Sequence, residues 1–134
     1  MPSKLDSLEV VQAPSRPAWR AWLAAHYAQP EGIWLLLHKK GSGQGLLTYA
    51  GAVEEALCFG WIDSLPRKLD AARYQLFFAP RRKGSVWSAL NKRRVTQLEA
   101  AGQLQPPGLA KIEAARLDGS WAALDAVEIG RAHV

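Results

Sequence analysis

The chain has 134 residues, is 49% hydrophobic and carries a formal net charge of +5. A chain of this length buries one hydrophobic core and is too short for two, so we expect a single domain over residues 1–134. It has no apolar run near the ~20 residues of a membrane span and no secretory signal pattern. Its single cysteine, Cys58, excludes an internal disulfide. Together these features predict a cytoplasmic location.

The sequence of the first half of the chain predicts a short strand, then a helix, then a second short strand. Leu8 to Val11 and Ile33 to His38 have the apolar character of strands, and Ser15 offers a cap for a helix from about Arg16 to Tyr27. Lys39 to Gly45 is predicted to be a loop. Its composition resembles a phosphate-binding loop, but its lysines precede its glycines, so the order that cradles a phosphate is absent.

The second half predicts three more helices and at least one more strand, each with its own start or stop signal. These elements are a helix from near Thr48 to Gly60, extended chain from Trp61, a strand from Arg73 to Ala79 stopped by Pro80, a helix capped by Ser85 that runs to about Ala101, and a last helix from the turn at residues 106–108 to Gly119. Helices outnumber strands and do not alternate with them, so the sequence predicts an α+β fold, a small single domain with helices packed on a short sheet.

Positive charge is concentrated in one segment of the chain. Nine basic residues lie between Arg67 and Arg94 against one acid, Asp70, so this segment carries +8 and the remainder −3. A local excess of one charge favours an anionic partner.

Two polar residues fall on or beside the buried face of the helix predicted after Ser85. With Val86 at zero on a helical wheel, Arg94 lies at about 80° and Asn91 at about 140°, within or next to the apolar arc. Arg94 could extend its stem across apolar side chains to solvent, or it could meet Asp63, a carboxylate in an apolar context.

The sequence predicts neither a metal nor a cofactor. His26, His38 and His133 lack the spacing of metal ligands, and no second cysteine joins them. Cys58 lies beside Leu57 in a predicted helix, where a cysteine usually serves as a small apolar packing residue.

The chain resembles the YdeI or OmpD-associated family, also called bacteriocin-protection proteins, over residues 19–121. The resemblance is carried by Glu55 to Asp63, then Pro80, Arg81, Arg82, Ser85, Trp87, Ser88 and Asn91, then Gly102, Pro107, Gly108 and Asp118 to Trp121. It implies a small bacterial protein linked to tolerance of bacteriocins and cationic antimicrobial peptides, and it brings no catalytic residues. Leu104 stands where the family usually has methionine. The resemblance also implies a basic helical tail after the Trp121 region, whereas this sequence stops at Val134.

The main functional hypothesis is a noncatalytic binding domain for an anionic small molecule or a peptide carboxylate. Arginine forks suit carboxylates and phosphates, and tryptophan supplies an apolar wall. The predicted ligand-binding residues are Trp61, Asp63, Trp87, Ser88, Asn91 and Arg94, with Arg81 and Arg82 at the rim.

Three other interpretations of these residues stay open. The basic segment could bind nucleic acid, Asp63 could act as a base in an enzyme with Ser88 or Asn91 orienting the substrate, or the domain could bind a partner protein. Each side chain also has a purely structural interpretation, since Trp61 and Trp87 could be core residues and the serines could cap a helix.

Overall fold

The computed structural model describes residues 4–40 and 45–125. Residues 41–44 of the predicted loop, and His133, lie outside the described residues. A short 3₁₀ helix, Lys4–Ser7, precedes eight elements: β1 (Val10–Val11), α1 (Arg16–His26), β2 (Ile33–His38), α2 (Tyr49–Cys58), β3 (Trp61–Lys68), β4 (Arg73–Pro80), α3 (Ala89–Ala100) and α4 (Pro106–Asp118). The predicted α+β fold is confirmed.

The four strands form one mixed sheet in the order β1-β2-β4-β3. β1 runs parallel to β2, and the β2–β4 and β3–β4 pairs are antiparallel. The β3–β4 hairpin closes on Asp70, whose carboxylate accepts hydrogen bonds from the backbone N–H groups of Ala72 and Arg73 at 2.9 and 2.7 Å. The pairing of β3 with β4 is irregular between Asp63 and Pro66.

The helices cover the sheet through apolar faces that the sequence spacing predicts. In α1, Trp19 and Leu23 are four residues apart and both fully buried. The Trp19 indole N–H donates to the Ala52 carbonyl of α2 at 2.9 Å. The cap predicted at Ser15 is confirmed, because its hydroxyl accepts a hydrogen bond from the Ala18 N–H. Thr48, near which the second helix is predicted to begin, caps α2 in the same way through the Gly51 N–H.

A buried carboxylate ties α1 to α2. The Glu55 side chain is 3% exposed and accepts hydrogen bonds at 2.8 Å from both Arg16 Nε and Arg20 Nη1. A buried charge is tolerated when it is paired and hydrogen-bonded in this way.

The predicted start of α3 is wrong, since the helix begins at Ala89 and its cap is Ser88. Ser88 Oγ accepts a hydrogen bond from the Asn91 N–H at 3.2 Å, whereas the Ser85 hydroxyl donates to the Arg82 carbonyl in a turn. The carbonyls of Ser85 and Val86 accept hydrogen bonds from the Arg81 guanidinium instead of from helical N–H groups. Val86 therefore precedes the helix, and a helical wheel that starts at Val86 gives this residue a position on a helical face that it does not occupy.

The start of α4 packs directly against the end of α2. The Gln105 N–H donates to the Cys58 carbonyl at 3.0 Å, and a Cβ atom added at Gly108 would lie 2.4 Å from that same oxygen. Glycine is required at position 108 for this approach of the two backbones. The contact fixes α4 beside the end of β4, where the site described next is formed.

Candidate functional site

A basic pocket lies between the segment that follows β4 and one face of α4. Its volume is about 230 Å³. The segment after β4 contributes Arg81, Arg82, Lys83, Gly84, Ser85 and Trp87, and the α4 side contributes Lys111, Ala114, Ala115, Asp118 and Ser120.

Arg81 is the buried cation of this pocket and is 5% exposed. Its guanidinium carbon lies 3.8 Å from the centre of the Trp87 ring, and Nη2 donates to the Val86 carbonyl at 2.9 Å. In the part of the chain that the structure describes, Arg81 forms no ion pair with a carboxylate. Burial lowers the pKa of Arg81 from 12.5 to about 10, because the charged form is less well solvated than in water.

The remaining N–H groups of Arg81 have no hydrogen-bond partner among the described residues. Nη2 is the guanidinium nitrogen that has hydrogen-bond partners among the described residues, the carbonyls of Ser85 and Val86. Within residues 4–40 and 45–125, no fully buried side-chain nitrogen or oxygen lacks a partner. Nε and Nη1 are therefore not fully buried, and they remain available as hydrogen-bond donors in a residue that lines the pocket.

The charges around Arg81 favour an anion. Arg82 and Lys83 are exposed, and Lys111 Nζ donates to the Arg81 carbonyl at 2.7 Å. Asp118 is the carboxylate among the lining residues, and its Oδ1 accepts from the Ser120 hydroxyl at 2.6 Å and the Ser120 N–H at 2.8 Å. These hydrogen bonds lower the pKa of Asp118. Four cations thus face one carboxylate that is already hydrogen-bonded.

The structure brings three of the predicted site residues together, Arg81, Arg82 and Trp87. Trp61 is a fully buried core residue whose indole N–H donates to the Tyr27 carbonyl at 3.0 Å. Ser88 caps α3 and does not line the pocket.

Asp63, Asn91 and Arg94 do not line the basic pocket either. Asp63 Oδ2 accepts a hydrogen bond from the Tyr49 hydroxyl at 2.6 Å, and Arg94 Nη1 donates to Asn91 Oδ1 at 2.9 Å. The ion pair considered between Asp63 and Arg94 is absent from the described residues, because each group has another partner. The hydrogen bond to Asp63 raises the pKa of Tyr49 to about 12.

The basic segment from Arg67 to Arg94 does not form one continuous surface. β4 separates Arg73 from Arg81, and eight residues of strand span about 25 Å. Several of the cations are also paired within the fold: Arg67 with Asp6, Arg73 with Asp70 and Lys92 with Asp125.

Sequence reasoning missed the α4 side of the pocket. Lys111, Ala114, Ala115 and Asp118 follow the spacing of one helical face, which is a signal present in the sequence. The two alanines leave room for the cavity between the charged residues.

Neither a metal cluster nor a membrane span is found in the described ranges, 4–40 and 45–125. No three histidine, cysteine or acidic side chains there are grouped so that they could hold a metal ion. No helix in these ranges is long and apolar enough to cross a membrane.

The fold and the site define a small α+β domain with a cationic pocket where its last strand meets its last helix. A family model described as a domain of unknown function, DUF8412, matches residues 11–111. This match covers most of the chain, and the protein belongs to that family. Searches of curated proteins and of solved structures gave no match.

Proposed function

We propose that this protein is a noncatalytic binding domain that takes a carboxylate or a phosphate in the pocket around Arg81. The observation that carries the proposal is the state of that guanidinium. It is buried against Trp87, it has backbone carbonyls but no carboxylate as partners among the described residues, and its Nε and Nη1 have no hydrogen-bond partner there.

A buried cation without an opposite charge is a costly arrangement. An anion in the pocket would supply that charge and accept a charge-assisted hydrogen bond from Nε or from Nη1, the kind of bond that carboxylates and phosphates form with arginine. Arg82, Lys83 and Lys111 add positive potential that attracts an anion from solution.

The size of the pocket supports a small group over a whole large ligand. Its volume of about 230 Å³ lies below the ~300–1,000 Å³ of sites that enclose a drug-sized molecule. The pocket therefore suits the charged end of a ligand, such as a peptide carboxylate or the acidic group of a small metabolite.

Nucleic-acid binding remains the weaker alternative, because the basic segment is divided between both ends of β4 and several of its cations are paired. An enzyme that uses Asp63 as a base also has less support, since that carboxylate lies outside the pocket and accepts a hydrogen bond from Tyr49. The resemblance to bacteriocin-protection proteins stays a prediction, as do a cytoplasmic location and a partner protein.

The test is calorimetric titration with inorganic phosphate and with acetate at constant ionic strength. The double variant R82Q/K83Q removes two exposed charges that line the pocket. K68Q/R93Q removes two exposed charges from the same basic segment but outside the pocket, so net charge is matched.

We expect affinity for phosphate to fall about fivefold in R82Q/K83Q and less than twofold in K68Q/R93Q. Equal losses in the two variants would mean that only overall charge matters and would contradict the proposal. Binding of a short oligonucleotide with a steep salt dependence, with neither phosphate nor acetate bound, would favour the nucleic-acid alternative.

A further inference from the structure

A second cavity lies beside the basic pocket along α4, and the two share Lys111 as a lining residue. The second cavity has a volume of about 360 Å³. Its described lining residues are Tyr27, Ala28, Gln29, Pro30, Phe59, Gly60, Trp61, Pro80, Pro107, Ala110 and Lys111.

The two cavities follow one face of the same helix. Pro107, Ala110 and Lys111 line the second cavity, and the basic pocket continues from Lys111 to Asp118. On the opposite wall, the consecutive residues Pro80 and Arg81 line the second cavity and the pocket respectively. With a rise of about 1.5 Å per residue, the face from Pro107 to Asp118 is about 16 Å long.

The walls of the second cavity are mainly apolar and include aromatic rings and prolines. The rings of Tyr27 and Phe59 lie 6.2 Å apart, and Tyr27 is 41% exposed. Lys111 is the charged residue among the described lining, and its ammonium group is directed to the Arg81 carbonyl. The aliphatic stem of Lys111 therefore lies between the apolar cavity and the cationic pocket.

We propose that the ligand of this protein is an amphipathic anion: a carboxylate or phosphate at Arg81 joined to an apolar, ring-containing group that occupies the second cavity. This inference rests on the proposed function and adds the chemical class of the ligand. A flat ring suits walls of aromatic side chains and prolines, which offer apolar contact area without flexible side chains. Ala110 lines the second cavity and Ala114 lines the pocket, and they are about 6 Å apart along the helix axis. A ligand that reaches both cavities therefore needs a linker of about three or four bonds between its acidic group and its ring.

A series of carboxylates measures this geometry directly. Acetate, benzoate, 3-phenylpropionate and 4-phenylbutyrate carry the same charge and place the ring at increasing distance from it. We expect affinity to rise along the series, with 4-phenylbutyrate bound about tenfold more tightly than acetate, which corresponds to about 1.4 kcal/mol.

Two variants locate the ring. A110Q places a polar side chain in the second cavity, and Y27A removes an exposed ring from its wall while keeping the backbone carbonyl that accepts the Trp61 indole N–H. A25Q is the matched control, an exposed alanine of α1 that lines neither cavity. We expect A110Q and Y27A to reduce the advantage of 4-phenylbutyrate to less than threefold while acetate and phosphate affinities stay within twofold of wild type.

The outcomes separate this inference from the proposed function. If acetate and phosphate bind but the ring adds nothing, the inference fails and the proposed function stands. If the ring advantage survives in both variants, the ring binds elsewhere and the inference is again wrong. If no anion of the series binds and phosphate does not bind, both fail.

Discussion

Replacing Arg81 with methionine removes the buried charge and keeps most of the side-chain volume. The pKa of Arg81 is lowered from 12.5 to about 10. One pKa unit corresponds to about 1.4 kcal/mol, so at neutral pH, below both values, the buried charge destabilises the folded state by about 3 kcal/mol. Methionine relieves this penalty.

The same substitution also removes favourable contacts of the guanidinium. The hydrogen bond to the Val86 carbonyl, at 2.9 Å, contributes about 1 kcal/mol, and the longer one to the Ser85 carbonyl, at 3.4 Å, contributes less. The contact with the Trp87 ring contributes about 1 kcal/mol more. Gains and losses nearly cancel, so R81M should leave the free energy of unfolding within about 1 kcal/mol of wild type.

Urea unfolding followed by far-ultraviolet circular dichroism measures this difference, and calorimetric titration with phosphate measures binding. We expect R81M to unfold near the wild-type midpoint and to lose phosphate binding. W87A is the control for a structural side chain and should lose about 3–5 kcal/mol. A loss of more than about 3 kcal/mol in R81M, or unchanged phosphate affinity, would refute the reasoning, because Arg81 would then act as a structural residue.

Three further predictions concern the fold around the site. E55Q should destabilise the protein by about 3 kcal/mol, because it weakens a buried pair with two arginines; E54Q, at a more exposed carboxylate, should cost less than about 1 kcal/mol. G108A should cost more than about 2 kcal/mol in urea unfolding, since its Cβ would lie 2.4 Å from a backbone oxygen of α2. Ultraviolet titration should give Tyr49 a pKa of about 12 that falls toward 10 in D63N. Because the folded pKa exceeds the unfolded one, this phenol's contribution to stability is complete below pH 10 and is lost as the pH rises through 12.

Each of these predictions has a clear contrary result. Equal losses in E55Q and E54Q would show that burial of the carboxylate is unimportant. A wild-type midpoint for G108A would mean that α4 can move away from α2 at no cost. The Tyr49 signal is isolated by subtracting the titration of Y49F, and an unchanged pKa in D63N would mean that the hydrogen bond does not form in solution.

Most of the fold could be predicted because its signals are local. Periodicity and caps place α1 and α2, and the apolar run of β2 is continuous in the sequence. The start of α3 could not be predicted in this way. Ser85 and Ser88 are both good caps, and the choice between them depends on the guanidinium of Arg81, which takes two carbonyls of the intervening segment.

The site was predictable only where its residues are neighbours in the chain. Arg81, Arg82 and Trp87 come from one short segment, and its composition pointed to them. Lys111 reaches the pocket from 30 residues away, and its position depends on how closely α4 packs against α2. Local sequence also suggested Asp63 as a partner for Arg94. In the structure the Asp63 carboxylate instead accepts a hydrogen bond from the Tyr49 hydroxyl, which belongs to a different element of the fold.

The irregular pairing of β3 has a consequence for the behaviour of the protein at high concentration. β3 is the terminal strand of the sheet, and an unpaired strand edge is the usual place where a second chain adds and aggregation begins. Here the register shifts between Asp63 and Pro66, proline offers no N–H to a neighbour, and the charged residues Arg67 and Lys68 follow. The outer edge of β3 thus discourages strand addition, and the sheet is protected against growth into larger assemblies from this side.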